Sequence, residues 1–262
     1  DPSENIILAG SPASQSARVL EMIGRESGRF GPADIAIGVP DRGVAPFLAA
    51  DLDDEGLDTF DPAGKSLCEH PLYGLLESYR GLVNEGTYGA VSAFLRNADV
   101  LARLEEGRGL GPRSVLEELD EFQNEYLPVS LEDMAARLCV RVIEEGRRGF
   151  GNLEGAVAFA REQVEAFEEG DLESAVRSFL QTVYAARMVN PGKPVDDEFM
   201  EAANLVDATL RELAGVPAGD AGITSGDGLD LLLERLGGQS CYPEREEAVI
   251  DLEGWLELPW ND

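Results

Sequence analysis

The chain has 262 residues, a hydrophobic fraction of 44%, and 51 acidic residues against 21 basic ones, giving a formal net charge of −30. The apolar content is sufficient for a packed core, which disfavours intrinsic disorder, while the charge opposes independent binding to nucleic acid because that affinity depends on Lys and Arg neutralising phosphates. No apolar run approaches the roughly 20 residues that span a bilayer and the N-terminus does not resemble a signal peptide, so we expect a cytoplasmic protein with no membrane contact.

Residues 1–64 have the pattern of an α/β fold. The apolar run 5–10 is typical of a strand buried on both faces. Ser11 and Pro12 then favour the start of a helix. Residues 34–39 predict a second strand, and residues 57–60 predict a third, shorter one. A strand, a helix and a strand within about 35 residues predict a right-handed, parallel βαβ unit.

Helical periodicity replaces the strand pattern from about residue 65. Apolar residues recur at helical spacing between Gly- and Pro-containing breaks, which predicts a bundle of about six or seven helices. After residue 220 a short helix is predicted at 229–236, and extended segments are predicted at 248–252 and 254–258. The sequence then stops directly after apolar residues, which we interpret as the boundary of a piece of a larger protein.

These patterns predict an α/β, mostly helical fold with a partial parallel sheet that is interrupted by an inserted helical subdomain. We expect residues 1–64 to form the first part of the sheet, residues 65–220 the helical subdomain, and residues 221–262 the return to the sheet. Ile6 and Ile37 are expected on neighbouring parallel strands, with the sheet completed near Trp255.

Two local features raise the question of chemistry. The Gly10–Ser11 turn lies between a predicted strand and a helix, where backbone N–H groups favour anions, but both common phosphate-binding fingerprints are missing. His70 is the only histidine, and Cys68 lies two residues before it. A zinc site needs three or four converging ligands, so we interpret His70 and Pro71 as the start of a helix.

Charged clusters are interpreted in the same way. The acidic runs 51–55, 117–121 and 196–198 are expected to be solvated helix faces rather than Mg²⁺ sites. Arg137, Arg141, Arg147 and Arg148 form the most basic local stretch, which indicates ion pairs within a helix. Among them, Arg147 and Arg148 are the candidates for a nucleic-acid contact. No catalytic residue, metal ligand or cofactor site is predicted.

Three stretches of the sequence resemble one family. They are DIAIGVPDR at 34–42, HPLYGLL at 70–76 with AFLRNADV at 93–100, and GWLELPWND at 254–262. In this order and spacing they resemble the middle of AddB-type proteins, the RecB-family exonuclease subunits of bacterial helicase–nuclease complexes. Those proteins carry two RecA-like domains of superfamily 1 helicase type and a C-terminal nuclease domain.

The resemblance implies that residues 1–64 begin the second RecA-like domain and that the helical region is the subdomain inserted there. It implies a non-catalytic segment of a protein of DNA double-strand break repair, serving as scaffold and as subunit and DNA-path surface. Walker A, helicase arginine and nuclease motifs are missing from the sequence, so no catalytic residue is implied.

The implied partners are the other domains of a parent chain and an AddA-like helicase subunit, with DNA contacted only through the full-length complex and no cofactor in this segment. Two alternatives remain open. One is a free-standing acidic module that binds basic proteins. The other is an enzyme that uses the Gly10–Ser11 turn to hold a phosphate-containing ligand.

Overall fold

A computed structural model describes residues 6–26, 28–145, 149–214, 225–242, 245 and 247–254. Contacts divide the chain into two compact units, an α/β unit (Asp1–Lys65 and Ser240–Asp262) and a helical unit (Ser66–Gln239). The protein is mostly helical and contains a small parallel sheet, which confirms the predicted α/β, mostly helical class. No helix within the described ranges combines the length and the apolar character needed to cross a membrane.

The α/β unit consists of short helices and strands, and the sequence indicates where its first helix begins. Ser11 caps the first helix and Pro12 is its first residue, where the missing N–H costs nothing. The elements of this unit are α1 (Pro12–Arg25), β1 (Ala36–Gly38), α2 (Ala45–Asp54), β2 (Thr59–Phe60) and β5 (Ile250–Glu253). Two further short strands, β3 (Lys65–Ser66) and β4 (Ser240–Cys241), pair with each other.

The parallel sheet has the order β1–β5–β2, so its central strand is the last one in the sequence. Ile37 is in register with Leu252, and Thr59 is in register with Ile250. Within the α/β unit, Ile37 and Leu252 of the sheet pack against Val44, which precedes α2, and against Leu48 of α2. The chain therefore leaves a gap between β1 and β2 that is filled only after the helical unit has been traversed.

The first predicted strand is wrong. Residues 6–10 form no strand, and the side chains of Ile6 and Leu8 are 69% and 93% exposed. An apolar run forms a strand only where a neighbouring strand offers unpaired N–H and C=O groups. β1 pairs with β5 along one edge, and residues 6–10 pair with no strand in the described part of the chain, so the predicted βαβ unit of residues 5–39 does not form. Ile6 and Ile37 do not lie on neighbouring strands, while Trp255 lies outside the described residues.

The helical unit consists of helices, as the periodicity predicts, but eight are described between residues 65 and 220 where six or seven were predicted. Most of its helices are capped by a Ser, Thr, Asp, Asn or His side chain or begin with Pro, and two end at Gly in the left-handed conformation. The described helices are α3 (Pro71–Glu85), α4 (Tyr88–Arg96), α5 (Ala98–Arg108), α6 (Pro112–Tyr126), α7 (Leu131–Glu145), α8 (Gly151–Glu169), α9 (Leu172–Val183), α10 (Pro194–Ala214) and α11 (Ser225–Gly237).

An aromatic group lies at the centre of this unit. The rings of Tyr79 and Phe179 are stacked with their centres 3.8 Å apart, and Phe94 lies 6.0 Å from Phe179. All three side chains are buried. Burial also raises the pKa of the Tyr79 hydroxyl above its ordinary value.

The second unit boundary differs from the expected one. The predicted return to the sheet begins at residue 221 and includes the helix now seen as α11, but α11 packs against α3 and α10. Tyr73 on α3 donates a hydrogen bond to the carbonyl of Leu233 at 3.4 Å, and Leu229, Leu232 and Leu236 are buried. The return to the α/β unit therefore begins at Ser240. Periodicity identifies the leucine face of this helix but not the helices that cover it.

Candidate interaction surface

The Gly10–Ser11 turn uses its polar groups within the helix cap. The backbone N–H of Ser14 donates to Ser11 Oγ at 3.2 Å, and the backbone N–H of Ser11 donates to Ser14 Oγ at 2.9 Å. A phosphate at this turn would compete for these same amides. The turn is therefore explained by the start of α1.

His70 acts as the N-cap of α3. Its Nδ1 accepts the backbone N–H of Leu72 at 3.1 Å, and Pro71 is the first residue of the helix, as predicted. The Cys68 thiol is directed to the carbonyl of Gly237 at 3.6 Å. In the part of the chain that the structure describes, no three His, Cys, Asp or Glu side chains come together as a metal site requires.

The acidic run 117–121 is more than a solvated face. Glu118 on α6 accepts the Asn152 side-chain amide at 2.5 Å and the backbone N–H of Leu153 at 2.8 Å, at the start of α8. This carboxylate therefore caps a helix from a neighbouring helix, where the helix dipole favours negative charge. Asp120 in the same run pairs with Arg96.

The basic stretch is described only in part. Arg137 pairs with Asp133 at 2.7 Å and donates to the carbonyl of Tyr126 at 3.1 Å, which is the predicted kind of intrahelical pair. The side chain of Arg141 and the candidate nucleic-acid residues Arg147 and Arg148 lie outside the described residues. Their proposed contact with nucleic acid stays a prediction.

A different segment has the features of a contact surface. Residues 185–195, between α9 and the first turn of α10, contain Arg187 and Lys193 but no Asp or Glu, although acidic residues make up 51 of the 262 positions. The side chains of Met188 and Val195 are 82% and 73% exposed, and Val189 is also exposed. We refer to residues 185–195 as the acid-free loop.

A tight turn forms the tip of the acid-free loop. The backbone N–H of Lys193 donates to the carbonyl of Asn190 at 3.2 Å, closing a four-residue turn. Pro191 and Gly192 are its central residues, and Gly192 has φ +87°. Proline followed by glycine at positive φ is the signature of a type II turn.

Two aspartates at the start of α10 hold this turn by accepting hydrogen bonds from its backbone. Asp196 accepts the backbone N–H of Asn190 and the guanidinium of Arg187, both at 3.1 Å. Asp197 accepts the backbone N–H of Gly192 at 3.0 Å. The N–H of Asn190 is the main reason that the pKa of Asp196 lies below its ordinary value, with Arg187 adding to it. In the run 196–198, which was predicted to be a solvated face, Asp196 and Asp197 thus hold the acid-free loop by hydrogen bonds.

An aromatic group supports the other side of the loop. The Arg187 guanidinium lies 3.8 Å from the ring centre of Phe199, and the Tyr184 ring meets Phe199 edge-on at 4.9 Å. Tyr184 donates its hydroxyl to Asp99 Oδ2 at 2.9 Å. Burial and, after it, the Asp99 carboxylate raise the pKa of Tyr184, so the phenol remains a donor. Backbone, ionic and cation–π contacts therefore hold one conformation of the loop.

The sequence pattern indicates the acid-free loop only as a Gly- and Pro-containing break. Two signals were present: the local loss of acidic residues in an acidic chain, and the apolar residues on both sides of the Pro–Gly turn. No protein-family model matches this chain, and a comparison with curated proteins finds no significant match.

Proposed function

We propose that this chain is a non-catalytic segment of an AddB-like helicase–nuclease protein, acting in DNA double-strand break repair as scaffold and subunit-contact surface. The proposal rests on the sequence stretches that resemble this family. One structural observation supports it: strands β1 and β2 precede the helical unit, and β5, which lies between them, follows it. A RecA-like sheet interrupted by a helical insertion has this order of elements.

The local chemistry is consistent with a scaffold role. Four polar side chains, Ser11, His70, Glu118 and Asp196, cap helices or fix a loop. Groups used in this way contribute to the stability of the fold.

The charge of the chain favours a protein partner over direct contact with DNA. A net charge of −30 repels phosphate groups. A helicase subunit that moves along DNA carries Lys- and Arg-rich surfaces, and such surfaces are attracted to an acidic chain over distances of about a Debye length. The AddA-like helicase subunit is therefore the expected partner.

Binding to that subunit tests the proposal. The chain is mixed with the AddA-like subunit of the same genome, and complex formation is followed by size-exclusion chromatography and biolayer interferometry. An unrelated basic DNA-binding protein serves as the control for non-specific attraction. We expect a stoichiometric complex with the helicase subunit that persists at about 0.5 M salt, where surface charges are screened.

Equal binding to both proteins, or none to the helicase subunit, would refute the proposal. Specific binding to a different basic protein would instead favour the free-standing interaction module.

A further inference from the structure

We infer that the fold of this chain depends on concentrated salt, which screens exposed carboxylates at the C-terminal ends of helices α2 and α8. The chain is therefore suited to a medium that contains molar concentrations of a monovalent cation such as K⁺. This property concerns the stability of the chain itself, so it does not depend on the proposed function.

The basic side chains are too few to neutralise the acidic ones. Pairing each of the 21 Lys and Arg side chains with one of the 51 acidic side chains would still leave a charge of −30. Most arginines already form such pairs, for example Arg18 with Glu21 at 2.6 Å. Net charge of this size destabilises a compact chain through self-repulsion. Dissolved cations are therefore needed to offset the excess.

The C-terminal end of α8 places carboxylates where the helix dipole is negative. Glu168 and Glu169 are the last two residues of this helix, both are exposed, and its last turn contains no basic residue. Ion pairs between described residues involve neither of them. Glu169 also follows Glu165 by four residues, a spacing at which like charges destabilise a helix. Both the dipole and the neighbouring carboxylate therefore oppose the charge at this helix end.

The end of α2 repeats this arrangement in the α/β unit. Asp53 and Asp54 are the last residues of α2 and Glu55 is its C-cap. All three are exposed, and the last turn of α2 contains no basic residue. Helix C-termini normally favour Lys, Arg or His⁺. Both units thus contain a helix end whose charge is of the unfavourable sign.

The spacing of these charges determines the salt concentration that matters. Side chains three or four residues apart on a helix are separated by roughly 5–6 Å. The Debye length is about 10 Å at 0.1 M salt and about 3 Å at 1 M. The repulsion therefore acts at 0.1 M and is screened in molar salt, so the stability of the fold should rise over this range.

Carboxylates at the opposite ends of helices provide a matched control. Glu132 and Glu173 lie in the first turns of α7 and α9, where the dipole favours negative charge. Glu132 pairs with Arg161 at 3.4 Å, and Glu173 pairs with Arg177 at 2.9 Å. The double variants E168Q/E169Q and E132Q/E173Q change the net charge by the same amount within the same helical unit. Glutamine matches glutamate in size and nearly in helix propensity.

The experiment measures the melting temperature of the unsubstituted chain and both double variants by circular dichroism in 0.1 M and 2 M KCl. We expect the unsubstituted chain to melt at least about 10 °C higher in 2 M KCl. E168Q/E169Q should raise the melting temperature by about 2–5 °C in 0.1 M KCl and by less than about 1 °C in 2 M KCl, where the repulsion is already screened. E132Q/E173Q should lower the melting temperature in 0.1 M KCl, because it removes favourable charges.

A melting temperature that is the same at both KCl concentrations would overturn the inference. It is also overturned if E168Q/E169Q gives no advantage in 0.1 M KCl, or the same advantage at both concentrations, because KCl then acts through something other than these carboxylates. Equal stabilisation by both double variants would show that only net charge matters and would overturn the assignment to helix ends. A chain that is unfolded in 0.1 M KCl and folds when KCl is added would support the inference directly, and the variants are then compared at the lowest concentration that permits folding.

Discussion

Leu127 occupies a backbone conformation that glycine normally adopts, and replacing it reveals the strain. It is the C-cap of α6, with φ +46° and ψ +56°, and its side chain is 74% exposed. The helices α3 and α5 end instead at Gly86 and Gly109, both at positive φ. We therefore expect the variant Leu127→Gly to be more stable than Leu127→Ala.

The size of the effect follows from the backbone alone. A residue with a Cβ atom in the left-handed region costs roughly 1–2 kcal/mol, while glycine loses roughly 0.5–1 kcal/mol more chain entropy than alanine on folding. Both variants remove the same exposed side chain, so packing nearly cancels between them. The free energy of unfolding of Leu127→Gly should therefore exceed that of Leu127→Ala by about 0.5–1 kcal/mol.

Two matched substitutions in α5 check the assignment. Gly109 has φ +67°, and a Cβ atom added there would meet nothing within 4 Å. Gly109→Ala should therefore lose about 1 kcal/mol from the backbone alone. Ala102, exposed in the interior of the same helix, should lose about 1 kcal/mol when changed to Gly. The preference for glycine over alanine thus reverses between the interior of a helix and its left-handed end.

The assay is urea unfolding followed by helical circular dichroism, with all variants measured under the same conditions. The reasoning is refuted if Leu127→Ala is as stable as Leu127→Gly while Ala102→Gly shows its expected loss. That result would mean that residue 127 is not in the left-handed conformation in solution.

Three further predictions concern the loop-binding carboxylate of Asp196 and the helix caps His70 and Glu118. The pKa of Asp196 is lowered in the folded state, so the stabilising effect of its carboxylate is complete above about pH 5 and is lost as the pH falls below the ordinary value of 3.8. The amide resonance of Asn190, whose N–H donates to this carboxylate, should titrate with a midpoint below 3.8. A midpoint at or above 3.8 would contradict this hydrogen bond. His70→Ala should cost about 1 kcal/mol and His70→Asn much less, because asparagine also caps helices; urea unfolding that shows equal losses would exclude the capping role. Glu118→Ala should cost about 1–2 kcal/mol by leaving amides at the start of α8 unpaired, whereas Glu117→Ala, which breaks only an exposed pair, should cost less than about 0.5 kcal/mol in the same assay.

Local structure could be predicted well where it depends on neighbouring residues. Ser11 with Pro12 and His70 with Pro71 mark helix starts that the structure contains. Strand positions near Ile37 and Ile250 were also predicted, although the strands are shorter than expected. Caps, turns and periodicity act over a few residues, so the sequence displays them directly.

Several contacts could be identified only from the tertiary structure. The sequence does not distinguish Glu118 from the other acidic residues, and its role as a helix cap depends on the packing of α8 against α6. Asp196 and Asp197 resemble any acidic run until the loop folds back onto them. The exposure of Met188 likewise depends on which helices pack together.

The sequence by itself determined the mostly helical class of the protein, the starts of α1 and α3, and a Gly- and Pro-containing break at residues 190–194. The tertiary structure alone decided that β5 lies between β1 and β2, that the apolar run at residues 6–10 forms no strand, and that α11 belongs to the helical unit. The reason is physical. Hydrophobic periodicity records which face of an element must be buried, whereas the partner that buries it is chosen by contacts between residues far apart in the chain.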